Sequence, residues 1–289
     1  MIINKALKKY NLVPKKYEKK DSIKIIYTKD KKYIYKEKKP NNKILDYLKT
    51  RNFHYFPTLI SNYNDDYQIT KYIEDYDIPK EQKILDMIIL VSLLHSKTTH
   101  YKEVDLDTYE KIYEDLNNNY EYLLSYYNDL ITIIETKVYM SPSEYLLARN
   151  ISLIFKTLNE NKKRLEKYHS LIKEKTTERN VVIHNNLKLD HFIRNKESYL
   201  ISWEKAKIGI PIFDLYKLYN NHALDFEFKD LLKEYETHYP LKEDEKELLF
   251  ILISMPNIIE LKGSEFDKCK KITKEIERIY KTNNLTKKS

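Results

Sequence analysis

Between residues 181 and 219 the chain reads "VVIHNNLKLDHFIRNKESYLISWEKAKIGIPIFDLYKLY", and this segment concentrates side chains able to do chemistry. His184 and His191 carry imidazoles, Asp190, Glu204 and Asp214 carboxylates, Asn186 an amide and Ser202 a hydroxyl. A hard cation such as Mg²⁺ takes oxygen ligands, usually with one or two carboxylates among them. The Asn186 amide accepts a hydrogen bond but is a very poor base. Upstream, Lys36 in "KYIYKE" is either a cation placed to meet an anion or one more lysine of a lysine-rich run. Sulfur adds nothing: the single cysteine, Cys269, has no internal disulfide partner and reads as an ordinary thiol, and the eight histidines are too scattered for a Cys/His metal site.

The surrounding patterns say what must hold these groups. "SIKIIYTKDKKYIYKEKK", beginning at Ser22, predicts a hairpin of two β-branched and aromatic runs around a Lys-Asp-Lys turn. "NNKILDYLKTRNF" predicts a short helix with Ile44, Leu45 and Leu48 on one face, and "FPTLISNYNDDYQITKYIED" two strands split by "NYNDD". Residues 1–20 are basic, with apolar positions too sparse for a long helix.

After Pro79 the period becomes helical. Ile84, Met87, Ile88, Val91 and Leu94 mark one helix, and Tyr109, Ile112, Leu116, Tyr120, Leu123, Tyr127, Leu130 and Ile134 a second, long one. Ser141, Pro142 and Glu144 open a third through a capping box, and the second and third suit an antiparallel hairpin. The tyrosine stripe has the spacing of a buried helix face. Residues 181–203 predict a strand, a polar loop and a hairpin turning at "NKES". Helices follow near 211–222, 225–237, 242–255 and 265–282, with the tail "KTNNLTKKS" expected to be disordered. The expected division is a sheet lobe with one helix over 1–75 and a helical lobe over 76–289 that contains the loop 181–215.

With 42% hydrophobic and 13% aromatic residues, the 289-residue chain can fill a substantial core. It has no apolar run long enough to span a bilayer and no signal-peptide pattern, so a soluble, cytoplasmic protein is expected. The net charge of +8 comes with 27 Tyr and only 2 Gly, a composition rich in residues with A/T-rich codons. Lysines interleave with acids in "KEDEKE" and "KEIERIYK", as on solvated helix faces, which argues against a nucleic-acid partner.

Taken together the motifs resemble the aminoglycoside phosphotransferase and choline kinase group of protein-kinase-like proteins, nearest to its offshoots associated with bacterial spore coats. The resemblance runs roughly from Ser22 to Tyr280 and is carried by "HNNLKLDH" and "LISWEKAKIGIPIFDLYKLY". It implies a two-lobed α+β fold with a small antiparallel-sheet lobe and a large, mostly helical lobe. In the family's loop His-Gly-Asp-x-x-x-x-Asn, His184 takes the His, Asn185 the Gly, Asn186 the catalytic Asp and His191 the metal-binding Asn. In its Ile-Asp-Trp-Glu hairpin, Ser202 takes the second metal-binding Asp, while Trp203, Glu204, Gly209, Pro211, Asp214 and Leu215 match. Lys36 falls on the lysine that meets nucleotide phosphates, Lys71, Tyr72 and Ile73 on the strand entering the hinge, and His95 of "LVSLLHS" on a Leu-x-x-Leu-His helix. His184 and Asp214 match loop-bracing positions.

By this resemblance ATP or another nucleotide is the implied cofactor, but the base and both metal positions have lost their usual groups. The Glu that would pair with Lys36 falls near Asn41 or Asn42, where there is no acid. Phosphoryl transfer depends on positioning and charge stabilisation, so these departures argue against Mg²⁺-dependent turnover. The expectation is a catalytically impaired kinase-like protein that binds a protein partner, a coat or scaffold component, in the cytoplasm or spore coat. Two alternatives stay open: an active phosphotransferase for a small hydroxyl-bearing molecule, using Asp190 and Glu204 as substitute metal ligands, and a structural interaction protein whose nucleotide pocket is filled.

Overall fold

The computed structural model of the chain describes residues 2–20, 23–62 and 64–286. Ser22, Tyr63 and the last residues of the tail, 287–289, lie outside the described residues. Two compact units emerge: Met1–His100 with Asn180–Asp214 and Lys233–Tyr239, and Tyr101–Arg179 with Leu215–Leu232 and Pro240–Ser289.

The first unit opens with α1 (Ile2–Lys9) and an antiparallel sheet in the order β1 (Lys16–Lys20), β2 (Ile23–Tyr27), β3 (Lys32–Lys36), β4 (Gln68–Lys71). Strand alternation assigns its faces. Ile26, Tyr35 and Ile69 point to one side and bury against Ala6 and Leu7 of α1. The predicted hairpin is β2–β3, closed by the Thr28 N–H donating to the Lys31 carbonyl at 2.9 Å. β1 is exposed along its whole length, so "KYEKK" carries no apolar alternation to announce a strand. Of the two strands expected over residues 56–75 only β4 forms; the earlier run contributes an isolated bridge, Leu59 to Thr70. α2 (Asn42–Thr50) buries Ile44, Leu45 and Leu48, the predicted face. It ends where Asn52 takes a left-handed φ of 59° and the Phe53 N–H reaches back to the Leu48 carbonyl at 2.9 Å.

α3 (Lys80–Thr98) buries Ile84, Met87, Ile88, Val91 and Leu94, and β5 (His100–Glu103) follows it. β6 (Thr177–Ile183) pairs through Val181–Ile183 with β9 (Lys207–Gly209), and between them β7 (Phe192–Arg194) and β8 (Ser198–Leu200) form the predicted hairpin. That hairpin is pinned to the N-terminal segment by backbone bonds: Leu200 N–H to the Tyr55 carbonyl at 2.9 Å and Tyr76 N–H to the Arg194 carbonyl at 2.7 Å.

The second unit contains α4 (Leu106–Glu135) and α5 (Pro142–Lys173), which pack on each other. Tyr109, Tyr120 and Tyr127 of the stripe are buried core. Ser141 and Glu144 form the predicted capping box. Next in the chain come α6 (Ile212–His222), whose start through Asp214 belongs to the first unit, and α7 (Phe228–His238), which belongs to it from Lys233 on; α8 (Glu243–Ser254) and α9 (Glu265–Thr286) both pack on α5. α9 overturns the expected disorder of residues 281–286, since Thr282, Leu285 and Thr286 are buried. The polar spelling hides burial that recurs at every third or fourth position, with Thr282 bonded through its hydroxyl to Tyr219. Among the described residues no helix is long and apolar enough to cross a membrane.

Truncating Ile154, fully buried in α5, to alanine is expected to cost about 2–5 kcal/mol. Ser141→Ala, which removes only the cap, should cost about 1 kcal/mol. Urea denaturation midpoints at constant slope check both values.

Candidate functional site

The site is built on the sheet face opposite α1. Residues paired across strands share a face, so the register Lys20–Ile23, Ile23–Lys36 and Lys36–Gln68 makes one row across the whole sheet, with Ile25, Ile34 and Thr70 in the next row. These side chains line a cavity of about 740 Å³. Its opposite wall comes from the loop and hairpin between Asn186 and Lys205.

That loop is held from below by one buried carboxylate. Asp214, in the first turn of α6, is fully buried and accepts from the His184 N–H at 2.7 Å, the Asn185 N–H at 2.6 Å and His95 Nε2 at 3.2 Å. With its Nε2–H directed at Asp214, His95 uses Nδ1 to accept the Tyr235 hydroxyl proton at 2.7 Å. A carboxylate without water needs such charge-assisted donors, and here they fix the chain direction where β6 enters the loop. Asn185 sits there at φ 55°, a conformation that Asn tolerates far better than most residues with a Cβ.

His184 is buried under the loop. Its Nε2–H donates to the Ile201 carbonyl at 2.9 Å, and its ring meets Trp203 edge-on at 4.8 Å. Burial pushes its pKa below the ordinary 6.5, the nearby Asp214 charge only partly opposing the shift. The imidazole is therefore neutral. Trp203 donates Nε1–H to the Leu200 carbonyl at 2.7 Å and packs edge-on against Phe53 and Phe56.

On the cavity wall itself, Lys36 forms an ion pair with Glu204 and lies 3.3 Å from Ser202 Oγ. Gln68 Nε2 donates to the same Glu204 oxygen at 3.2 Å. Burial pushes the Glu204 carboxyl up, but the hydrogen bond and charge of Lys36, helped by Gln68, outweigh it and hold the group below the ordinary carboxylate range. The acid partnering Lys36 thus comes from the short helical turn Trp203–Lys205 that follows β8. Asn41, near which the family's Glu would fall, instead donates to the Ala206 carbonyl at 2.7 Å. Ser202 occupies the left-handed region at φ 68°, a strained conformation for a non-glycine residue.

The structure brings Lys36, Lys71, Tyr72, Ile73, Asn186, Asp190, His191, Ser202 and Glu204 to one cavity, with His184 and Asp214 behind the loop. The donor set does not fit a divalent cation. Glu204 is neutralised by Lys36, whose ammonium also lies against Ser202, and His191 directs Nδ1–H to the Asn186 carbonyl at 2.7 Å. Among the described residues there is no group of three or more His, Cys, Asp or Glu placed to hold a metal ion. Gln68 and Tyr235 escaped the sequence reading. The β3–β4 register, which sets Gln68 opposite Lys36, identifies the first, whereas Tyr235 reaches His95 only through tertiary packing.

No protein-family pattern matches the sequence, and no curated protein matches it. Solved structures do. An aminoglycoside phosphotransferase from Alicyclobacillus acidocaldarius subsp. acidocaldarius DSM 446 aligns with a TM-score of 0.69 at 10% identity, over 96% of this chain and 92% of that one. A spectinomycin phosphotransferase in its AMP-bound complex aligns at 0.57 and 13% identity, over 96% and 97%. The choline kinase LicA from Streptococcus pneumoniae aligns at 0.50 and 17% identity, over 96% and 98%. At such identities the likeness establishes the fold: the chain has the two-lobed α+β kinase-like fold of these phosphotransferases.

Asp214→Ala would orphan three donors in a dry site and is expected to destabilise the protein by about 3 kcal/mol or more, measured by chemical denaturation. His184 is expected to be mostly the neutral Nε2–H tautomer at about pH 6.5, where an ordinary imidazole is half protonated, by imidazole NMR. Its depressed folded pKa means that, as pH falls below about 6.5, the unfolded chain binds a proton the folded chain refuses. His184 therefore removes stability toward acid, and an imidazole protonated at about pH 6.5 would contradict this geometry.

Proposed function

We propose that this chain is a catalytically impaired member of the kinase-like phosphotransferases, whose cleft accepts a nucleotide without supporting Mg²⁺-dependent transfer. The observation that carries the reading is the pairing of Lys36 with Glu204. Lys36 is the cation that the resemblance assigns to nucleotide phosphates, and Glu204 is the cleft carboxylate best placed to replace a lost metal ligand. Each neutralises the other. Asn186 offers no base, and Ser202 and His191 offer no carboxylate at the metal positions.

An open cavity of about 740 Å³ beside Lys36 and the strand end Lys71–Ile73 supports a ligand-binding cleft over a filled one. Ile23, Ile25 and Ile34 give it an apolar floor suited to a nucleobase. Nucleotides accompany two neighbours of this fold, AMP in the spectinomycin phosphotransferase and AMP-PNP with Ca²⁺ in an amicoumacin kinase that aligns at a TM-score of 0.52. The protein's role is then binding: its folded surface engages a protein scaffold, and a nucleotide modulates that engagement. A spore-coat setting for the scaffold follows from the sequence resemblance.

Thermal unfolding with millimolar ATP tests the proposal, because stabilisation grows with the logarithm of ligand over Kd. The expected result is a rise in Tm with ATP in EDTA that Mg²⁺ or Mn²⁺ does not enlarge, with no ATP turnover. The variant Asn186→Asp with His191→Asn and Ser202→Asp should acquire a metal-dependent rise. A large metal-dependent shift with turnover in the wild type would overturn the proposal, as would no shift at all.

A further inference from the structure

The cavity's charge is unbalanced in a way that a metal-dependent nucleotide site would not need. Among the described residues seven lysines line it, against the carboxylates Asp75, Asp190 and Glu204. Two of those acids are matched internally, Asp75 by Lys83 at 2.6 Å and Glu204 by Lys36. Lys20, Lys38, Lys71, Lys188 and Lys205 remain, set against Asp190 alone, and leave excess positive charge on the wall and rim.

Backbone geometry strengthens the point. Kinases cover nucleotide phosphates with a glycine-rich loop in the sheet lobe. This chain's two glycines, Gly209 and Gly263, both lie outside the four-stranded sheet. In the cross-strand row, Lys20 and Lys36 stand two strands apart on one face, about 10 Å between backbones. Long lysine stems can close that gap around a di- or triphosphate, replacing glycine amides and metal ion together.

Lys36 is held by Glu204, and both side chains are about 15% exposed. A phosphate that reaches Lys36 meets the Glu204 carboxylate in the same weakly solvated place, where like charges repel strongly.

We infer that the cleft binds a nucleoside diphosphate or triphosphate without a divalent cation, by exchange: the ligand's phosphate displaces Glu204 from Lys36, and Lys20, Lys38, Lys71 and Lys188 supply the remaining counter-charge. Glu204 is thus a tethered competitor that neutralises Lys36 and sets the threshold for ligand entry. This rests on the proposal that a nucleotide enters the cleft, and it adds what the nucleotide must displace.

Calorimetric titration of ADP and of inorganic pyrophosphate in EDTA separates the two claims. Glu204→Gln keeps the side chain's shape and its acceptor for Lys36, and is expected to bind ADP at least tenfold tighter than the wild type. Lys36→Met should weaken ADP at least tenfold, and Lys20→Ser with Lys38→Ser should weaken it and flatten its salt dependence. ADP should bind more tightly than pyrophosphate because of the isoleucine floor; equal affinities would reduce the site to a phosphate site and overturn the nucleoside assignment. Unliganded Tm values show which variants are folded, and Glu204→Ala serves as the second variant. If the wild type binds ADP in EDTA but both Glu204 variants, folded, bind no tighter, the exchange is wrong while the nucleotide cleft stands. If Glu204→Gln abolishes a binding that required Mg²⁺, Glu204 is a metal ligand and the inference falls. If no folded variant binds ADP, both claims fall.

Discussion

A single buried carboxylate organises the loop on which the rest of the site depends. Asp214 is fully buried, so its charge is tolerable only while His184 N–H, Asn185 N–H and His95 Nε2–H point at it. These donors come from the end of β6, the start of the loop and the last turns of α3. Since His184 and Asn185 are neighbours, satisfying one acid ties three segments together: the junction of β6 with the loop, the end of α3 and the start of α6. The frame of the loop above is fixed by backbone amides, which substitution of its outward side chains leaves in place.

Above this frame the electrostatics differ from those of a metal-dependent phosphotransferase. Such a site gathers carboxylates around a cation and leaves a lysine free for phosphate. Here the lysine and a carboxylate find each other, and Gln68 completes the contact. The pair is partly buried and its partners are converged, so it is a defined feature of the cleft and unlike the exposed pairs on the helix surfaces. Its consequence is a cleft that is neutral at its centre and positive at its rim.

The scarcity of glycine is met in the backbone by asparagine. Asn11, Asn52 and Asn185 take left-handed φ values, two of them just beyond helix ends and one at the loop position where the resembled family uses Gly. Asparagine tolerates that region because its short polar side chain can bond locally. Ser202 is the exception, a hydroxyl residue held at φ 68° beside Lys36.

Most elements were legible in the chain because their apolar periods are long and regular: the faces of α2 and α3, the tyrosine stripe of α4, the capping box of α5 and the β2–β3 and β7–β8 hairpins all follow from spacing and turn chemistry. β1 and the end of α9 were not, since one is an exposed edge strand without alternation and the other buries polar-looking residues. Within the site, residue type alone determined that Asn186 is no base and that Ser202 and His191 bring no carboxylate. Which acid meets Lys36 was decided only in three dimensions. Residues 36 and 204 are far apart in the chain, and a contact across that separation depends on strand register, on the hairpin anchored at Tyr55 and Tyr76, and on the loop held by Asp214. Local sequence carries side-chain chemistry and periodicity; the pairing of charges is a property of the packed whole.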